Sequence, residues 1–150
     1  MALRGWEIPE GLRVLPDGTW QTGDLPVVHA QSLAFFKSHL VFEDGGAFVV
    51  EGLRRMPIAL EGPAFAVVRL ALDHEQGEAR LVLDDGSEEP VSDGSIGMDE
   101  QTGRFEGAVR GGRARALFGR AAHQQLLDHA EQVGGDFFLR VGRRLLALRT

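Results

Sequence analysis

The chain has no cysteine, which excludes disulfides, thiol catalysis and iron–sulfur ligation. It also lacks tyrosine and asparagine, and its one lysine, Lys37, stands against fifteen arginines. Codon bias explains this pattern: residues with AT-rich codons are missing while Gly, Ala and Arg abound, as expected of a GC-rich bacterial genome. No run of about 18 apolar residues occurs, so no helical membrane span is expected. The segment Met1–Glu7 lacks the apolar centre of a signal peptide, and the expected location is the cytoplasm. Catalytic motifs are missing too. There is no phosphate-binding loop of the Gly-x-x-x-x-Gly-Lys type and no His-Glu-x-x-His. Gly94-Ser95-Ile96-Gly97 lacks the spacing of a nucleophile elbow. No cofactor is implied.

What remains is an ordinary globular composition of 150 residues, 43% hydrophobic. A chain this long buries roughly 68–70% of its unfolded surface, enough for one core. The net charge of −6 hides a dipole. Residues 1–60 carry 5 basic and 7 acidic groups, residues 61–100 carry 2 and 11, and residues 101–150 carry 9 and 4. The acidic middle and the basic end are expected to face each other or to decorate opposite surfaces. The overall acidity disfavours nucleic-acid binding, whose affinity comes largely from phosphate contacts.

Sliding the chain by 89 residues lays Ser32–Leu60 over Ala121–Arg149 without a gap. Gly45-Gly46 then falls on Gly134-Gly135, Phe48 on Phe137, and Arg54-Arg55 on Arg143-Arg144. Such self-similarity predicts an internal duplication. Leu33, Phe36, Leu40 and Val41 recur at helical spacing, as do Ala122, Leu126, Ala130 and Val133. They predict helices over roughly 30–42 and 119–133, each closed by a left-handed glycine, Gly45 or Gly134. Aromatic and β-branched strands follow each helix. Pro16-Asp17-Gly18 predicts a hairpin turn between 12–15 and 19–22, and residues 23–26 lead into the first helix. Pro63 is expected to start a strand, with 64–72 the longest and most central one and 79–83 pairing back. Residues 84–90 read as an acidic turn and 93–103 as an irregular connection. Gly111-Gly112 is expected to join two further strands. The predicted class is α+β: two repeated units, each a helix packed against twisted antiparallel β-sheet. They form a single compact domain, 1–150, with halves at about 12–60 and 104–149 bridged by strands at 64–83.

The succession resembles a known bacterial family. Asp17-Gly18-Thr19-Trp20, then Gly23, Pro26, a helix, Glu43-Asp44-Gly45 and a strand are similar to domain of unknown function 1285 (DUF1285). So are Glu61 to Phe65, the turn Asp85-Gly86-Ser87-Glu88, and Val109-Arg110-Gly111-Gly112 with Arg120 ahead of the second helix. The chain departs from the family pattern at Gly62-Pro63-Ala64, around His29, and at Ala121, Ala122, His123 and Gln124. The resemblance implies two related helix-and-sheet units and no established activity; a ligand-binding or signalling role is conjecture for the family too.

Several residues invite a chemical reading. His123, Asp128 and His129 share the second helix, but the histidines are six apart and point about 120° from each other. They read as exposed polar positions, not metal ligands. His29, His39 and His74 have no ligand-like spacing, and no metal is expected. Asp84, Asp85, Glu88 and Glu89 lack calcium-loop spacing and read as a solvated turn. Arg120 is the sharpest candidate. A cation is unfavourable at a helix N-terminus, yet a helix N-terminus with arginine suits an anion. The other reading pairs Arg120 with an internal carboxylate such as Glu61. Trp20, just after a tight turn, either caps a pocket or belongs to the core. Arg54-Arg55 and Arg143-Arg144 read as solvated turn charges. The expected function is a non-enzymatic module, with signalling as one use, binding a small anionic ligand between the repeats. Arg110 and Arg120 would meet the anion, and Trp20 and Glu61 would shape the pocket. A protein-interaction module is the alternative, and an enzyme using a carboxylate such as Glu61 is a third. The oligomeric state is not set by the sequence.

Overall fold

The structure, a computed structural model, describes residues 11–149. The segment Met1–Glu7 lies outside the described residues. Among the described residues the fold is α+β, with mostly strands, two helices and two six-stranded mixed sheets. Two compact units divide the chain, Met1–Ala64 and Phe65–Thr150. No helix among the described residues is long and apolar enough to cross a membrane.

In the first unit, β1 (Leu12–Val14), β2 (Trp20–Thr22) and β3 (Leu25–Pro26) precede α1 (Ala30–Ser38). After it come β4 (Leu40–Glu43), β5 (Gly46–Glu51) and β6 (Arg54–Leu60). The sheet order is β3-β2-β1-β6-β5-β4, antiparallel except for β1 beside β6. The expected turn forms at Pro16–Gly18. Gly18 takes φ 91, and the Asp17 carboxylate accepts the Thr19 N–H at 2.9 Å. The segment expected to lead into the helix instead supplies β3.

Helix α1 is shorter than its periodicity predicts. Ser38 Oγ donates to the Ala34 carbonyl at 2.6 Å and the His39 ring contacts the Phe35 carbonyl, so side chains close the last turn. Leu40, Val41 and Phe42 then extend, because aromatic and β-branched side chains fit a pleated, half-buried surface. Gly45 is left-handed as expected, but not as a helix cap. Asp44 (φ 48) and Gly45 (φ 77) are the two central residues of a tight hairpin turn, the form whose twist matches the strands it joins.

The second unit begins with β7 (Phe65–Asp73), β8 (Glu78–Leu83), β9 (Glu88–Pro90) and β10 (Ile96–Met98). Then come β11 (Phe105–Val109), a 3-10 turn at Arg110–Gly112, and β12 (Ala114–Phe118). Helix α2 (Arg120–His129) leads to β13 (Ala130–Val133), β14 (Asp136–Val141) and β15 (Arg144–Ala147). The six-stranded order is β10-β11-β12-β7-β8-β9, with β12 parallel to β7; β13-β14-β15 form an antiparallel meander. Strand β7 is the longest and lies centrally, as its apolar run predicts. It starts two residues after Pro63, which stands outside it. The connection expected to be irregular contains β10. Helix α2 stops at His129, not Val133, and Gly134 (φ 65) again serves a hairpin, between Val133 and Asp136.

Corresponding elements of the two units begin 90 residues apart: Ala30 and Arg120, Leu40 and Ala130, Gly46 and Asp136, Arg54 and Arg144. The ladders keep this spacing, with Leu40↔Val49↔Met56 in one unit and Ala130↔Leu139↔Leu146 in the other. The shift of 89 that aligns the double glycines is therefore one residue short of the strand register. Each unit has its own core: Val14, Trp20, Phe36 and Val49 in the first, Leu81, Phe118, Leu126 and Leu139 in the second.

Candidate functional site

The four residues put forward from sequence occupy very different surroundings. Trp20 is 1% exposed, stacks on Phe36 with ring centroids 6.1 Å apart, and donates its indole N–H to the Ala64 carbonyl at 2.9 Å. It is a satisfied core side chain. Glu61 is exposed, 4.0 Å from Arg13 Nη1. Both lie in the first unit. In the second, Arg110 is fully engaged. It donates to Glu89 Oε2, to Asp85 Oδ2 at 2.9 Å and to Ser87 Oγ at 3.2 Å, and its guanidinium sits 4.7 Å over the Phe65 ring. The Asp85 carboxylate is only 4% exposed. Within this unit, then, the acidic middle and the basic end do meet. Arg115 likewise donates to both oxygens of Glu106, at 2.9 and 3.0 Å. Arg120 is exposed in the first turn of α2, and no described carboxylate pairs with it.

Other charges pair locally at the surface. Arg54 faces Glu51 at 3.7 Å and Arg55 pairs with Glu43, so these are partnered charges. Ser95 closes a local turn, its Oγ donating to the Ser92 carbonyl at 2.9 Å. Among the described residues, no group of three or more potential ligands could hold a metal ion.

The second unit brings together residues that sequence spacing keeps apart. The turn after β7 is fixed by Asp73, whose Oδ1 accepts the N–H groups of Glu75 at 3.1 Å and Gln76 at 3.0 Å. Against it rests the β14–β15 turn. A Cβ on Gly142 would lie 2.0 Å from the His74 carbonyl oxygen, so only glycine permits this approach. The Gly142 N–H donates to His74 Nδ1 at 3.0 Å. From the third side comes the end of α2, where His129 stacks on His74 with ring centroids 5.6 Å apart.

Two open hollows share His74. One, of about 580 Å³, lies between the turn 74–77 and Arg143 and Arg144. The other, of about 320 Å³, is bounded by Asp128, His129, Glu131 and Arg140. No described carboxylate pairs with Arg143 or Arg144. Glu131 and Arg140 instead neutralise each other, with Arg140 Nη2 3.1 Å from Glu131 Oε1. The hydrogen bond from Arg140 holds the Glu131 carboxyl below its usual value, and the same bond raises Arg140.

The hydrogen bonds also set the histidine tautomers. His74 Nδ1 accepts from Gly142, so the neutral ring carries its proton on Nε2. His129 Nδ1 lies 3.0 Å from the Gln125 carbonyl, which only accepts. In the neutral His129 ring the proton is therefore on Nδ1 and the lone pair on Nε2. A neutral His74 cannot ligate a metal through Nε2 without losing the Gly142 bond.

Neither a protein-family model nor a curated protein matches the sequence. Two solved structures do match the fold. A DUF1285 family protein from Silicibacter pomeroyi DSS-3 aligns over 100% of this chain and 87% of its own, with a TM-score of 0.70 and 22% identity. The chain has a DUF1285-like fold. A second DUF1285 family protein, from Shewanella baltica OS155, aligns over 79% of this chain and 91% of its own, with a TM-score of 0.59 and 13% identity. The DUF1285-like fold agrees with the succession of turns and strands read from sequence. At these identities the likeness extends to the fold and to no activity.

Proposed function

We propose that this DUF1285-like protein is a non-enzymatic module that binds a small anionic ligand, and that its two units descend from one duplicated helix-and-meander segment. The common 90-residue spacing of helix, turns and ladders supports the duplication. One observation carries the anion reading: Arg143 and Arg144 border an open hollow, which His74 also lines, without a carboxylate partner. Guanidinium groups donate to phosphate and carboxylate oxygens in a planar fork. Arg120 is a second, separate candidate contact, since it too is exposed without a described carboxylate and stands at a helix N-terminus.

A thermal-shift series with sulfate, phosphate and nucleotides tests the reading, because a ligand that binds only the folded state raises the melting temperature with concentration. The rise is expected in the native chain and in Arg120→Ala, and is expected to vanish in Arg143→Ala/Arg144→Ala. Loss in Arg120→Ala alone would move the site to the start of α2. No rise with any anion would overturn the reading. A docking role for protein partners has one observation in its favour: Leu25 and Val28, at and beyond the edge strand β3, are 70% and 81% exposed.

A further inference from the structure

The two hollows that meet at His74 differ in the charge they offer. The larger presents Arg143 and Arg144, with the Glu75 carboxylate also on its wall. The smaller is lined by Asp128 and His129, while its Arg140 is already bound by Glu131. Asp128 accepts from Gln124 through Oδ1 at 2.9 Å and retains further acceptor capacity on its exposed carboxylate. Both Asp128 and His129 belong to the last turn of α2, where the helix dipole is negative and cations are favoured. Gly142 and Arg143 are sequence neighbours, yet each borders a different hollow, and His74 borders both.

We infer that the cleft takes a small soluble phosphate ester that also carries a primary amine. This rests on the anion-binding reading and adds the ligand's second group. The phosphate would sit between Arg143 and Arg144, accepting also from His74 Nε2–H. A monoester offers three acceptor oxygens and up to two negative charges, which matches two guanidinium groups and a neutral donor. The ammonium would sit at the end of α2, donating to Asp128 and to His129 Nε2. A carboxylate alone leaves one cation unmatched, and a phosphate without an amine leaves the acceptors at the helix end to water.

The test compares ethyl phosphate, O-phosphoethanolamine and ethanolamine on the full chain by calorimetry, with thermal shift as a second readout. The expected result is that O-phosphoethanolamine binds up to about fivefold tighter than ethyl phosphate, the range of an exposed ion pair. Asp128→Asn is expected to abolish that preference, and Arg143→Ala/Arg144→Ala to abolish binding of both esters. Equal affinity for the two esters in the native chain would overturn the inference while leaving the anion reading intact. Absence of any response would overturn both. Sedimentation with phosphatidylethanolamine vesicles, without a response to the soluble ester, would replace the soluble ligand with a lipid headgroup.

Discussion

Arg110 stands in a left-handed backbone conformation, φ 54, which a side chain with a Cβ adopts only when its surroundings hold it there. Here the hold is visible. Glu89 accepts both the Arg110 backbone N–H, at 3.2 Å, and its side chain, and the buried Asp85 takes a second guanidinium nitrogen. Removing the cation would strand a buried carboxylate. Arg110→Ala is therefore expected to destabilise the chain by about 3 kcal/mol, read by chemical denaturation. Its effect on anion affinity, at equal fraction folded, is expected to be negligible. Glu131 gives the opposite, titratable case. Its depressed folded value means that the Arg140 pair contributes above the ordinary carboxylate value of 4.5 and is lost as pH falls below it. Glu131→Gln is expected to be less stable than the native chain at neutral pH, and the two should converge as the buffer is acidified. A gap that stayed constant with pH would show that the pair does not set it.

At the scale of elements, composition foretold which segments order but not where helix yields to strand. Leu40 satisfies a helical period after Phe36 and also faces Val49 across a ladder. The pattern admits both, and the side-chain closure at Ser38 and the tight turn at Asp44-Gly45 decide it. The left-handed glycines were legible; their purpose was not, because helix caps and hairpin turns use glycine for the same reason. The candidate cleft was illegible for a different cause. His74 and His129 stand 55 residues apart, and neither has local spacing to mark it. The docking of α2 along β7, through Gln125 and Leu70, joins them, and the β14–β15 turn seats beside them on His74. Gly142 makes that seating possible, and its φ of 61 adds a second constraint. Gly142→Ala is expected to cost at least about 2 kcal/mol, through both the positive φ and the clash with the His74 carbonyl. Hydrogen exchange should show the loss concentrated in β14 and β15; a uniform change would argue against local unseating.

For the molecule as a whole, an α+β chain and an uneven charge distribution were legible in the sequence, whereas the partners of individual charges were not. Arg120 drew attention because it stands at a helix N-terminus, whereas partnership depends on which carboxylates the sheets bring near. Arg110 looked free and is paired; Arg143 and Arg144 looked like turn decoration and border a hollow. Every residue of that hollow, its neighbour and their supporting turns belongs to Phe65–Thr150, a unit with a complete six-stranded sheet, a helix and a buried core of its own. Gln125 even closes the edge of β7 beyond the end of β12. Its side-chain amide donates to the Leu70 carbonyl at 3.1 Å and accepts the Leu70 N–H at 2.8 Å. A chain of residues 65–150 is therefore expected to fold by itself, with dispersed amide resonances and a cooperative melt, and to keep the native response to phosphate. At this length about a third of the unfolded surface stays exposed, so its melting temperature should fall below that of the full chain. A fragment that folds yet ignores phosphate, while the full chain responds, would place the anion contacts in residues 1–64 instead.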